Sequence, residues 1–227
     1  GVGVLRARLG GVDVTGLPWG EPVTLGDARV SLHPAGHILG SAQVRIEVGG
    51  QVWVVAGDYC VSTRGDANPT CEPFEPVRCD CFVTEATFGL PIYRWPRHAD
   101  VFGDMNRWWQ ANAAAGEASL VGAYSLGKTQ HVLAGIEAGI GPIYVHPAAE
   151  AVNAAHVAEG VALPSTRPWG ELEDARCLRG ALVIAPPGAG APWRWQREVR
   201  VRESLASGWM QQHGARHRAG LDRGFVL

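Results

Sequence analysis

Short segments that alternate polar and apolar residues dominate the first part of the chain. Residues 29–32 and 43–48 alternate in this way, as half-buried strands do. The two glycines at 49–50 separate the second segment from the apolar run at 51–56, which predicts a hairpin with a tight turn. A further short strand is predicted at 81–84, after a loop that contains several prolines. We therefore expect the chain to begin with a β-sheet.

Helical spacing begins near residue 99. Within 101–115, one helical face can be lined by Val101, Met105, Trp108 and Trp109. Further helices are predicted at 128–136 and 148–159, and further strands at 118–124, 142–145, 181–185 and 204–210. Strands that alternate with helices indicate βα units and a mainly parallel sheet. The fold class is therefore α/β, and two architectures meet near residues 90–100.

Composition places the chain among ordinary globular proteins. Of its 227 residues 46% are hydrophobic and 19% are charged, and no apolar run approaches the roughly 20 residues of a membrane span. The net charge of −2 argues against polyanion binding over the whole surface. A local basic cleft on a nearly neutral protein can still bind nucleic acid. Five cysteines without framework spacing favour a reducing cytoplasm. Lys128 is the single lysine beside nineteen arginines, a bias typical of a GC-rich bacterium.

Candidate chemistry lies where the predicted strands end. His33 and His37 occupy a glycine-rich turn between two strands, and imidazole is a common zinc ligand. Asp58 follows the strand at 51–56, and Glu85 follows the next strand. A histidine pair alone is more often structural, and an aspartate after a strand is often a turn former. The three features together favour a metal site.

These segments resemble a known enzyme family. His-x-x-Gly-His-Ile-Leu-Gly-Ser at 33–41, Gly-Asp-Tyr at 57–59 and Glu-Ala-Thr-Phe-Gly at 85–89 are similar to consecutive motifs of metallo-β-lactamase-fold nucleases with a β-CASP insertion. That family includes the endonuclease subunit of the pre-mRNA cleavage factor. The resemblance implies a partial metallo-β-lactamase αββα sandwich at 1–95 and a partial β-CASP α/β cap domain, with a mainly parallel sheet, at 96–227.

The resemblance also implies roles for individual residues. His37 and Asp58 would be metal ligands, with Asp58 bridging two zinc ions, or manganese in their place. Asp58 and Glu85 would be the catalytic carboxylates, with Glu85 orienting a catalytic histidine that lies outside the chain. His33 would support the ligand loop.

Downstream segments extend the resemblance. Residues 123–130 are similar to a β-CASP strand–loop–helix segment, in which a phosphate would meet a helix N-terminus and the Lys128 charge. Ser125 and Lys128 of this segment are therefore candidate substrate-binding residues, and the alternative for Lys128 is a solvated side chain. Arg94 is a further candidate for contact with the substrate backbone. Four further segments resemble the DNA-ligase-associated exonucleases in particular. They lie at 88–96, 141–146, 207–210 and 222–227.

The family signature His-x-His-x-Asp-His does not occur in this sequence. Family members carry it upstream of the matched region, and they carry further catalytic histidines downstream. We therefore expect the chain to be an internal piece of a longer enzyme. On its own it should neither bind zinc tightly nor cleave a substrate, because two ligands cannot fill two zinc coordination spheres.

The function expected for the longer protein is metal-dependent hydrolysis of nucleic acid in a bacterial cytoplasm. A DNA exonuclease acting in repair, with a DNA ligase and a helicase as functional partners and no membrane association, is the first hypothesis. An RNA-processing β-CASP ribonuclease is the alternative within the family. A small-substrate metallo-hydrolase and a non-catalytic pseudoenzyme are the further alternatives. The preference for DNA depends on the family branch alone.

Overall fold

The computed structural model describes residues 1–61, 66–189 and 195–227. Their packing divides the chain into two compact units. The first unit contains residues 1–89 and 155–161, and the second contains residues 90–154 and 162–227. The assignment of 1–95 to a metallo-β-lactamase domain and of 96–227 to a β-CASP domain stays a prediction.

The first unit is built on one five-stranded sheet. Its strands follow one another across the sheet in chain order, the first four antiparallel and the last parallel to its neighbour. The elements are α1 (Val2–Leu9), β1 (Val23–Leu25), β2 (Ala28–Pro34), β3 (Ala42–Val48), β4 (Gln51–Ala56) and β5 (Cys81–Val83).

The predicted hairpin joins β3 and β4. Val48 pairs with Gln51 across a two-residue turn. Gly49 and Gly50 both have positive φ, at 58° and 77°. A turn with positive φ at both central residues matches the right-handed twist of the flanking strands, and glycine adopts it without steric cost. The hairpin prediction is confirmed.

The second unit holds a six-stranded sheet of order β11-β10-β6-β9-β7-β8, in which every pairing is parallel. The alternation of helices and strands predicted such a sheet. The elements after residue 90 are α2 (His98–Ala114), β6 (Ala118–Gly122), α3 (Lys128–Gly135), β7 (Ile143–Val145), α4 (Pro147–Ala158), β8 (Arg167–Pro168), β9 (Leu182–Ala185), β10 (Val201–Ala206), α5 (Ala215–Arg218) and β11 (Arg223–Phe225). Within the described residues, no helix has the length and apolar character needed to cross a membrane.

Both faces of this parallel sheet are buried. On β9, Leu182 and Ile184 belong to the hydrophobic cluster that includes α2, whereas Val183 belongs to the cluster on the opposite face. Trp109 of α2 is fully buried, and its indole N–H donates to the carbonyl oxygen of Gly180 at 3.0 Å. Parallel strands covered on both faces read as continuous apolar runs, which explains the sequence of β9.

The strand predicted at 204–210 is wrong in its second half. β10 ends at Ala206, and a short 3-10 helix covers Gly208–Gln211. The Ser207 hydroxyl accepts a hydrogen bond from the Trp209 amide at 3.3 Å. This side-chain cap satisfies an amide that a strand would pair with its neighbour, so the backbone turns at Ser207.

Candidate functional site

The strand register of the first unit brings three loops to one edge of the sheet. β4 and β5 run parallel, with Val55 beside Val83, so the residues after both strands leave at the same edge. β3 runs antiparallel to β4, with Gln43 beside Ala56, so the loop before β3 reaches that edge too. Asp58 follows β4, Glu85 follows β5, and His37 lies in the loop before β3.

The three side chains form a solvent-accessible polar cluster. His37 Nε2 lies 3.7 Å from Asp58 Oδ2, and the two side chains are 40% and 71% exposed. The Glu85 carboxylate accepts a hydrogen bond from the Thr87 amide at 2.6 Å. This bond lowers the Glu85 pKa, and so does the nearby charge of His37. An imidazole and two carboxylates at one edge are suited to metal ligation and proton transfer.

His37 and Asp58 fit as two ligands of a single metal ion. Two zinc ligands at a tetrahedral angle lie roughly 3.4 Å apart, close to the observed separation of 3.7 Å. Zinc takes about four ligands in all. In residues 1–61, 66–189 and 195–227, no group of three histidine, cysteine or acidic side chains is placed to hold a metal. A metal ion held by His37 and Asp58 would therefore need further ligands.

The loop that presents His37 depends on Gly36 and Ser41. Gly36 has a φ of +73°, and a β-carbon there would lie 2.5 Å from the carbonyl oxygen of Cys60. Only glycine fits this left-handed position against neighbouring backbone. The Ser41 hydroxyl accepts hydrogen bonds from the amides of His37 and Ile38, at 3.2 and 3.1 Å. The sequence motif contains both residues, although it assigns a role to neither.

Asn68 contacts the same loop, although it lies 31 residues later in the sequence. Its side-chain amide donates to the His37 carbonyl oxygen at 3.0 Å, and it is 6% exposed. Its Oδ1 accepts from the amide and hydroxyl of Thr70, at 3.0 and 2.7 Å. The role of Asn68 is not predictable from the sequence, because no local pattern links this residue to a loop 31 residues earlier.

His33 lies within β2 and not in the predicted turn, and both of its ring nitrogens are engaged. Nδ1 is 3.0 Å from Glu75 Oε1, and Nε2 is 3.0 Å from the Ser31 hydroxyl. Its side chain is only 12% exposed. No ring nitrogen is left for a metal, and the contacts anchor β2 to the loop containing Glu75.

In the second unit, Gln130 organises the loop that precedes α3. Its Oε1 accepts a hydrogen bond from the Gly127 amide at 2.7 Å. Its Nε2 donates to the Ser125 carbonyl oxygen at 2.9 Å and to Asn153 Oδ1 at 2.6 Å. Gln130 is fully buried. The sequence motif contains this glutamine, but the motif alone does not predict its role.

These bonds change the expectation for a phosphate at the start of α3. The amides of residues 127, 128 and 129 all donate to acceptors within the segment 124–130. A helix N-terminus binds anions through amides that lack such acceptors. The expected phosphate site at these amides is therefore not supported, and a phosphate contact there would be made by the Lys128 side chain.

The two other candidate substrate-binding residues, Ser125 and Arg94, differ in their exposure to solvent. The Ser125 carbonyl oxygen is bonded to Gln130, and the residue is partly buried. Arg94 is exposed, and its amide donates to Gln211 Oε1 at 2.6 Å. Arg94 is thus tied to the segment after β10.

The chain is similar to proteins with names in nucleic-acid processing, although no protein-family model matches it. A protein of Opitutus terrae named "Probable DNA ligase" is 31% identical over 227 residues, covering 99% of this chain and 22% of that protein. "Endoribonuclease ysh1" of Emericella nidulans is 30% identical over 116 residues, covering 48% of this chain and 12% of that protein. "Endoribonuclease YSH1" of Gibberella zeae is 35% identical over 68 residues, covering 30% of this chain and 8% of that protein. The chain therefore spans about a fifth or less of the length of these relatives.

Proposed function

We propose that the chain is part of a metal-dependent nuclease that hydrolyses phosphodiester bonds in nucleic acid. The observation that carries this proposal is the convergence of His37, Asp58 and Glu85 at one open edge of a sheet, with 3.7 Å between His37 Nε2 and Asp58 Oδ2. An exposed imidazole and a carboxylate can serve as two ligands in a metal-dependent hydrolase, and a second carboxylate can orient a proton donor.

The similarities support the same proposal. Two of the relatives carry the name endoribonuclease, and the third carries the name of a DNA ligase. We place the enzyme in the metallo-β-lactamase/β-CASP class, with the first unit as part of the metallo-β-lactamase domain and the second as part of the β-CASP cap. Because the ligase-named relative covers 99% of the chain, we favour a DNA exonuclease acting in repair beside a DNA ligase and a helicase.

Each residue of the cluster has a proposed task. His37 Nε2 and Asp58 would hold zinc, or manganese in its place, and the bound ions would supply an activated water and neutralise charge on the scissile phosphate. Glu85, kept ionised by the Thr87 amide, would orient the group that protonates the leaving oxygen. His33 supports the loop. Ser125, Lys128 and Arg94 would contact the substrate backbone.

The remaining metal ligands are proposed to come from outside this chain. A zinc site with two protein ligands binds weakly, because ligand number sets much of the affinity. We therefore expect the 227-residue chain by itself to cleave nothing.

The test uses the complete protein that contains this chain. Stepwise metal-dependent degradation is measured on 5′- and 3′-labelled single-stranded DNA and RNA, for the wild type and for His37→Ala and Asp58→Ala. Loss of a metal ligand should lower the rate by about 100-fold or more. His213→Ala and Asp27→Ala are matched controls, because both side chains are exposed and lie in other loops.

The products separate the alternatives. Stepwise shortening of DNA, abolished by both cluster substitutions but not by the controls, is the result expected. Internal cuts in RNA would favour the RNA-processing ribonuclease, which the endoribonuclease names support. A folded, zinc-loaded protein that leaves both nucleic acids intact would overturn the proposal and favour a small-substrate hydrolase or a non-catalytic role.

A further inference from the structure

The parallel sheet of the second unit has a topological switch point between β6 and β10. These strands are neighbours, with Leu205 beside Gly122. From β6 the chain continues to β7 on one side of the sheet, and from β10 it continues to β11 on the other side. In open parallel sheets, ligands bind outside the carboxyl ends of the strands where successive connections diverge in this way.

An exposed tyrosine follows the end of β6. Tyr124 lies two residues after Gly122 and is 61% exposed. Its carbonyl oxygen accepts from the Thr129 amide at 3.0 Å and from the Thr129 hydroxyl at 2.8 Å. Its backbone is therefore fixed to α3 while much of the side chain stays in solvent.

An exposed tryptophan follows the end of β10. Trp209 is 43% exposed, although its amide is capped by Ser207. Its ring meets Tyr93 edge to face, with 6.3 Å between ring centroids and 88° between planes. The Tyr93 hydroxyl in turn accepts from Gln212 Nε2 at 3.3 Å. The indole is thus oriented by its neighbours while part of its surface remains accessible.

Positive side chains accompany the two aromatic residues. Lys128 begins α3, four residues after Tyr124. Arg94 is exposed, and its amide is bonded to Gln211 two residues after Trp209. Aromatic rings that stack on bases, combined with cations that follow the phosphates, are the means by which proteins bind single strands without reading sequence.

We propose that Tyr124 and Trp209 are base-stacking residues, and that the switch point between β6 and β10 binds the unpaired bases of single-stranded nucleic acid. The choice of ligand class rests on the proposed nuclease function, whereas the place of the site follows from the topology and from the two exposed rings. Bases within a duplex are already stacked, so this surface selects single strands.

Fluorescence anisotropy of the chain with a fluorescein-labelled 12-nucleotide oligothymidylate tests the proposal. Tyr124→Ala and Trp209→Ala should each weaken binding about five-fold or more, whereas Tyr124→Phe and Trp209→Phe should stay within about two-fold of the wild type. Neither ring carries charge, so the dependence of binding on salt should not change. Trp53→Ala is the matched control, because Trp53 is 41% exposed and belongs to the other unit.

An abasic strand of equal length and charge isolates the contribution of the bases. It should bind more weakly than oligothymidylate, and the alanine variants should bind it as the wild type does. If an alanine variant unfolds, Tyr124→Leu or Trp209→Leu keeps an apolar side chain larger than alanine and removes the aromatic face. Three results would overturn the proposal. The wild type could bind both strands equally, it could bind neither, or the variants could bind oligothymidylate as the wild type does.

Failure of the nuclease function would have a different signature. Base-dependent binding by this chain, without cleavage by the complete protein, would leave the stacking site standing and remove the proposed hydrolysis. Cleavage by the complete protein, with unchanged binding in the Tyr124 and Trp209 variants, would support the hydrolysis and remove the stacking site.

Discussion

Replacing Gln130 by methionine should destabilise the second unit and release the loop before α3. The substitution keeps the side-chain length and removes three hydrogen bonds, to the Gly127 amide, the Ser125 carbonyl oxygen and Asn153 Oδ1. Gln130 has no exposed surface, so the substitution adds no exposed apolar area.

The expected loss in free energy of unfolding depends on the groups that lose their hydrogen bond to Gln130. Each bond contributes about 1 kcal/mol net, and a buried group that loses its partner costs about 1–3 kcal/mol. Gly127 is buried and Asn153 is 8% exposed, so water replaces their lost bonds poorly. Ser125 is partly exposed, and its carbonyl can bond to water. We expect Gln130→Met to lower the free energy of unfolding by about 2–4 kcal/mol.

Urea denaturation followed by circular dichroism measures the loss, and amide hydrogen exchange locates it. The Gly127 amide should lose protection, whereas the amide of Val183 in the sheet should keep it until global unfolding. Gln110→Met on the exposed face of α2 is the matched control and should stay within about 0.5 kcal/mol of the wild type. A Gln130→Met protein as stable as this control, with Gly127 still protected, would refute the role assigned to Gln130.

Two further predictions concern the first unit. Gly36→Ala should lower its stability by about 2–4 kcal/mol, because the new methyl group would meet the Cys60 carbonyl oxygen at 2.5 Å in a left-handed conformation. Gly26→Ala, with φ of 59° and nothing within 4 Å, should cost only about 1 kcal/mol, and equal melting temperatures for the two variants would contradict the steric argument. Burial raises the pKa of the Cys71 thiol to about 12, so its thiolate fraction at neutral pH should be roughly 1000-fold below that of an unperturbed thiol. Disulfide exchange with a chromogenic reagent should therefore modify the exposed Cys177 first, and rapid reaction at Cys71 would count against its burial.

The elements that the sequence predicted correctly have local signals. The β3–β4 hairpin combines strict alternation with a glycine pair, and α2 shows apolar residues at helical spacing from Val101 to Trp109. The end of β10 was missed because the turn depends on a single cap from Ser207 to Trp209, inside a run that reads as apolar. The position of β10 beside β6 pairs residues more than 80 apart, as Val201 with Ala118, and no local pattern contains that information.

The candidate site also has parts that the sequence predicts and parts that it does not. His37, Asp58 and Glu85 could be picked from the sequence because each follows or precedes a strand in a polar turn. Their approach to one another depends on strand register, which the alternation alone does not give. Asn68 and Gln130 were missed as positioning residues because their bonds to His37 and Asn153 span 31 and 23 residues.

Asp58 and Tyr124 each follow a strand that contains a residue with no exposed surface. Val54 has no exposed surface, yet Asp58 four residues later is 71% exposed, and Val121 has none while Tyr124 is 61% exposed. A packed strand fixes the direction in which the chain leaves the sheet, and the first polar residues beyond it are released from the requirements of the core. Substitutions within the strands should therefore act mainly on stability, and substitutions just beyond them on binding and chemistry. This separation explains why single residues such as Asp58 carried functional information in the sequence while the strands before them carried information about the fold.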